Sequence, residues 1–100
     1  MEEISQKELQ QLIAHSRGKI FLEFYSNNCG PCKLLEPLML LLSEEHSKEA
    51  AFYKIDIKKA PELSAQYEVN SIPMVIMLES GQEKSRIYGS KSKGYYEQLF

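Results

Sequence analysis

This 100-residue chain contains two cysteines, with two residues between them. They are Cys29 and Cys32, in the stretch EFYSNNCGPCKLLEP from Glu23 to Pro37. Thiols at that spacing support a redox disulfide, half of a metal cage, or inert packing. A tetrahedral zinc site needs four ligands. The other candidates, His15 and His46, are lone and far apart in sequence, so no metal site is expected. Both histidines read as surface residues at helix ends. Gly30 and Pro31 between the cysteines disfavour a continuous buried helix, and with it two inert core thiols. The remaining chemistry is thiol–disulfide exchange.

That chemistry needs two unequal sulfurs, and the flanking sequence supplies the inequality. The pair follows a strand-like run and opens a helix-like one, the context expected of a redox Cys-x-x-Cys. A helix N-terminus carries unpaired N–H groups and a partial positive charge, which favour a thiolate over a thiol. Cys29, first out of the loop, is expected to be the exposed nucleophile. Cys32, one turn in, is expected to be shielded and to act second. Cys29 would form a mixed disulfide with substrate, and Cys32 would break it and close the Cys29–Cys32 disulfide. Gly30 is expected to allow a tight turn and Pro31 to stiffen it.

The elements that must position this pair are legible on either side. Ser5 and Glu8 have capping-box spacing, and Leu9, Leu12 and Ile13 recur at helical intervals, giving a helix from about Ser5 to Ser16. Ile4 is placed in a short leading strand. KIFLEFYS, from Lys19 to Ser26, reads as a strand with Ile20, Leu22 and Phe24 on one face and Phe21, Glu23 and Tyr25 on the other. Both faces are mostly apolar, as in a central strand covered on two sides, and Glu23 is the odd residue.

A second helix, Lys33 to Ser47, contains Pro37, where a kink is expected. Leu34, Leu35, Leu38, Met39, Leu41 and Leu42 fall on one apolar arc, with Lys33, Glu36 and Glu44 opposite and Leu40 stranded among them. Strands follow at Ala50–Ile57 and Pro73–Ser80, separated by a short helix in APELSAQYEV with Pro61 at its start. A Ser80-Gly81 hairpin leads to a strand at Lys84–Gly89, and Ser92–Phe100 opens a last helix. Strands alternating with helices imply parallel crossovers, and the hairpin adds an antiparallel pair. The expected class is α/β: one domain over residues 1–100, a central mixed β-sheet flanked by helices on both faces.

Composition narrows the function further. The net charge is −2 and no basic stretch approaches a phosphate-binding patch, so nucleic acid is not an expected partner. No unbroken apolar run exceeds the five residues of Leu38–Leu42, far too short to span a bilayer, so no membrane partner is expected. The polar, acidic MEEISQKEL opening does not read as a secretory signal, and a cytoplasmic location is the expectation.

CGPCK at Cys29–Lys33, KIDI at Lys54–Ile57, SIP at Ser71–Pro73, Gly81 in a hairpin and Gly89 after the last strand together resemble thioredoxins, in the same order and over nearly the whole chain. The resemblance implies a thioredoxin fold and a protein-disulfide reductase working through a Cys29/Cys32 dithiol cycle. It implies a monomer with no bound cofactor, reloaded by a thioredoxin reductase drawing on NADPH, and disulfide-containing proteins as substrates. It makes Pro73 the family's cis-proline, with the Ile72 backbone pairing with substrate, and puts Gly30, Pro31 and Gly89 around the substrate groove. It makes Glu23 the counterpart of the family's buried aspartate and Lys54 that of the aspartate's lysine neighbour. Burial is expected to raise the Glu23 pKa against the opposing pull of Lys54.

Several positions depart from the family. Asn28 and Tyr25 stand where tryptophans are usual, Met74 where threonine follows the cis-proline, and Glu68 where a glycine ends the third helix. Asn28 and Met74 are expected to change the apolar rim that meets substrates. The GP dipeptide resembles the reducing members. The competing class is an interaction or chaperone module on the same scaffold, which the altered rim would favour.

Overall fold

The computed structural model describes residues 1–100. Its elements are β1 (Glu2–Glu3), α1 (Gln6–His15), β2 (Lys19–Tyr25), α2 (Gly30–Glu45), β3 (Ala50–Asp56), α3 (Pro61–Gln66), β4 (Met74–Glu79), β5 (Gln82–Tyr88) and α4 (Lys93–Glu97). The strands form one mixed sheet in the order β1-β3-β2-β4-β5. β1 and β2 run parallel to β3, whereas β2–β4 and β4–β5 are antiparallel. The leading strand covers Glu2–Glu3, and Ile4 follows it, its N–H donating to the Lys54 carbonyl.

The alternation of β2 divides the core. Ile20, Leu22 and Phe24 pack with Leu9 of α1 and Leu63 of α3. Phe21, on the opposite face, packs with Leu35, Met39 and Leu42 of α2 and Tyr96 of α4. Helices therefore cover both faces, as the apolar character of both sides of β2 requires.

Local signals act where the sequence places them. Ser5 caps α1 with a capping box: its Oγ accepts from the Glu8 N–H, and its own N–H donates to the Glu8 carboxylate. β5 begins two residues earlier than the sequence suggests, at Gln82, because the hairpin turn is only Ser80 and Gly81. Gly81 has φ +78°, and a Cβ there would come within 2.6 Å of Ile13 Cγ2, so both backbone and space demand glycine.

Two expectations fail in instructive ways. The apolar arc of α2 is narrower than its leucines suggest. Cys32, Leu35, Met39 and Leu42 form the buried seam, while Leu34 is 80% and Leu41 41% exposed. One sheet face accepts only the i, i+3, i+7, i+10 stripe of a helix lying on it. His46 is no free surface residue either. It ends α2 with Nδ1 3.0 Å from Glu49, Nε2 2.7 Å from Glu97, and its ring stacked 3.8 Å from that of Phe100. Burial opposes its charge, but the two carboxylates outweigh burial and hold its pKa above the ordinary value.

The chain after α3 turns at Glu68, which has φ +52°. Arg86 of β5 donates to the Tyr67 and Glu68 carbonyls and pairs with Glu83, fastening this turn to the sheet edge. A non-glycine residue in this left-handed conformation costs on the order of 1–2 kcal/mol. Glycine gives part of that back through its unfolded-state entropy. Glu68→Gly is therefore expected to stabilise the fold by about 0.5–1 kcal/mol, read as a higher urea midpoint. An unchanged or lower midpoint would show that the turn carries no strain.

Candidate active site

The end of the central strand presents the cysteines. β2 stops at Tyr25, and a short loop brings Cys29 to the N-cap of α2. Cys29 Sγ accepts the Cys32 N–H at 3.2 Å, so the sulfur itself occupies the capping position among the helix's free donors. The two cysteines are joined in a disulfide with Cα atoms 5.3 Å apart. Cys29 is partly exposed and Cys32 is only 3% exposed, the asymmetry that exchange requires. Gly30 is already helical, without positive φ, and a Cβ on it would meet open space, so the tight-turn role expected of it is not needed. Pro31 occupies the first helical turn, where its missing N–H has no intrahelical acceptor to lose.

Beneath the cysteines is a cleft of about 70 Å³ lined by Glu23, Tyr25, Cys32, Lys33, Glu36 and Lys54, among others. Glu23 is 2% exposed, and its Oε1 has no hydrogen-bond partner. Burial, helped by the nearby Glu36 carboxylate and opposed by Lys54, pushes its pKa from 4.5 up to about 7. Burial thus outweighs the lysine, as expected. The parallel register places Lys54 directly opposite Glu23. Its ammonium lies 3.8 Å from Glu36 Oε1 and 5.4 Å above the Tyr25 ring, however, and makes no hydrogen bond to Glu23.

The Ile72–Pro73 bond is cis. Met74 pairs with Phe24, so Pro73 lies at the sheet end where β2 leads into the cysteine loop. The Gly89 N–H donates to the Pro73 carbonyl at 3.0 Å, which brings Gly89 to the same place. Met74 does not belong to a substrate rim: it is 0% exposed and packs in the α1/α3 core, because strand alternation turns it inward. Asn28 is on the rim. Its Oδ1 accepts from Ser26 Oγ at 3.0 Å and Lys58 Nζ at 3.3 Å, giving a polar, cationic margin beside Cys29. Sequence reasoning missed Ser26, Lys58 and Glu36, which carry no motif and reach the site from three different elements or loops.

A family model described as thioredoxin matches residues 1–99. The chain is 36% identical over 100 residues to a thioredoxin of Mycoplasmoides gallisepticum, covering 99% of this chain and 98% of that protein. It is 30% identical to the chloroplastic M-type thioredoxin of Spinacia oleracea over 93% of this chain, and spans about half, 51%, of that longer protein. Among solved structures, Fasciola hepatica thioredoxin superposes with a TM-score of 0.89 at 26% identity, over 98% of this chain and 94% of that one.

The raised Glu23 pKa makes stability depend on pH. Between 4.5 and about 7 the folded chain keeps a proton that the unfolded chain has lost, so stability falls as pH rises through this window. From about pH 5 to about pH 8 this group alone is expected to remove roughly 2 kcal/mol. Glu23→Gln is expected to abolish that part of the slope. Urea unfolding of both proteins at the two pH values isolates it, since His46 contributes equally to each. Parallel pH dependences would mean that Glu23 is not shifted.

Proposed function

This chain belongs to the thioredoxin family and is a thiol–disulfide oxidoreductase; from that premise we propose that Cys29 opens substrate disulfides, Cys32 resolves them, and Glu23 takes the resolving proton. One observation carries the reading. A partly exposed sulfur sits at the free N–H groups of α2, with a buried sulfur one turn behind it and a buried carboxyl group on the wall of the same cleft.

In the reduced protein the Cys29 thiolate attacks one sulfur of a protein disulfide. A Cys29–substrate bond forms, and the other substrate sulfur leaves as a thiolate and takes a proton. The Cys32 thiol then loses its proton to Glu23, directly or through water in the cleft. Its thiolate attacks Cys29 Sγ, which closes the Cys29–Cys32 disulfide and releases the second substrate thiolate. Two electrons have passed to the substrate. A carboxyl group with a pKa of about 7 is matched to this task near neutral pH.

The oxidised pair must be reloaded by a dithiol donor. We assign that role to a thioredoxin reductase using NADPH, in a reducing cytoplasmic compartment. The same proposal gives the substrate backbone a strand-like seat along Ile72 and Pro73, beside Gly89, Gly30 and Pro31. It also makes the working unit a monomer, because both sulfurs, Glu23 and Lys54 come from one chain.

Cys29→Ser is expected to abolish reduction of insulin by the dithiothreitol-driven protein. Cys32→Ser is expected to leave attack intact and to trap a covalent substrate adduct, visible by mass spectrometry. Faster iodoacetamide labelling of Cys32 than of Cys29 in the reduced protein would reverse the two roles. For the proton, single-turnover kinetics separate attack from resolution. Glu23→Gln is expected to slow resolution by about 100-fold or more near neutral pH and to leave attack unchanged. Equal resolution rates would reduce Glu23 to a structural residue.

A further inference from the structure

The mechanism leaves Glu36 without a task, although its side chain lines the cleft that holds Glu23. It sits one turn beyond Cys32 on α2, and its Oε1 is 3.8 Å from Lys54 Nζ. That is the only ion pair Lys54 makes. Lys54 is also the register partner of Glu23, and Glu23 Oε1 has no hydrogen-bond partner. Two carboxyl groups thus flank one ammonium, and the outer one has it.

We propose that Glu36 is a positioning residue that holds the Lys54 ammonium on the outer side of the cleft, away from Glu23. The flexible lysine stem allows either placement. Near the cleft mouth the charge is partly hydrated, and moving it inward would cost desolvation unless attraction to Glu23 exceeded attraction to Glu36. With Glu36 in place, Glu23 remains a poorly compensated carboxyl group that binds a proton readily. Without Glu36, the nearest free cation has one carboxylate left to approach.

The inference deepens the proposal that Glu23 accepts the Cys32 proton, and rests on it for its functional consequence. Two lysines line the cleft, Lys33 and Lys54, and Lys54 is the one in register with Glu23 and paired with Glu36. β2 contributes Tyr25, α2 contributes Cys32, Lys33 and Glu36, and α4 contributes Tyr96, whose hydroxyl senses the Glu23 charge. The β4 partner of Glu23 is Val75, which carries no charge.

The test uses the full chain as Glu36→Gln, Lys54→Met and the double variant. The Glu23 side-chain carboxyl ¹³C shift is followed against pH, and single-turnover resolution is measured over the same range. Glu36→Gln is expected to move the Glu23 midpoint down by about one pH unit. In the Lys54→Met background the same substitution is expected to have less than about half that effect, because only direct carboxylate repulsion remains. Glu36→Asp is expected to restore most of the original midpoint. No movement in Glu36→Gln, or equal movement with and without Lys54, overturns the positioning role. If the midpoint moves as expected but the acid limb of resolution stays fixed, the positioning role stands and Glu23 fails as the proton acceptor.

Discussion

The structure depends on a constraint placed on β2. This strand has a neighbour on each edge and a helical layer on each face, so little of its side-chain surface reaches water. Such a position excludes charge unless a compensating partner accompanies it, and otherwise favours the neutral form of the group. Six of its seven residues respect that exclusion, since Lys19 lies at the strand's start and reaches the Leu99 carbonyl with its ammonium. Glu23 does not, and it lies two residues from the strand end that opens into the cysteine loop. The tension between a buried carboxyl group and an apolar sheet is thus placed where a group that exchanges protons near neutrality has a use.

The two sulfurs divide the same geometry between them. Cys29 stands at the positive end of a 16-residue helix, and Cys32 belongs to that helix's buried seam with Leu35, Met39 and Leu42. One turn of helix separates a polar, donor-rich setting from an apolar one. The difference in setting between the sulfurs therefore follows from where α2 begins relative to the sheet. A start one residue earlier or later would put Asn28 or Gly30 at the cap in place of a sulfur.

Features set by local sequence were legible. The Ser5 capping box, the Gly81 turn, the alternation of β2 and the isolation of Glu23 depend on neighbours within a few residues, and the structure has them as read. The cis bond before Pro73 came from the resemblance, since nothing in its immediate neighbours requires it. What escaped were contacts between elements. Leu34 and Leu41 belong to the apolar arc of α2 by angle, yet only the narrower stripe through Cys32, Leu35, Met39 and Leu42 is buried. Met74 looked like part of a rim until the β2–β4 register turned it inward. His46 gained two carboxylate partners and an aromatic stack from residues 3 and 51–54 positions away. Glu36 looked like a solvated helix face, and only the placement of β3 brought Lys54 to it.

The two edges of the sheet have a consequence for the chain's colloidal behaviour. One edge is β1, two residues long, which offers almost no ladder for another strand to extend. The other is β5, whose Glu83, Lys84 and Arg86 put both signs of charge along the exposed border, with a register irregularity beside it in the β4–β5 pairing. Short, charged and irregular edges are poor templates for strand addition. The reactive disulfide lies at the end of the sheet rather than along either border. The proposed seat for substrate backbones thus lies at one terminus of the strands, away from the two borders that are poor templates for fibril growth.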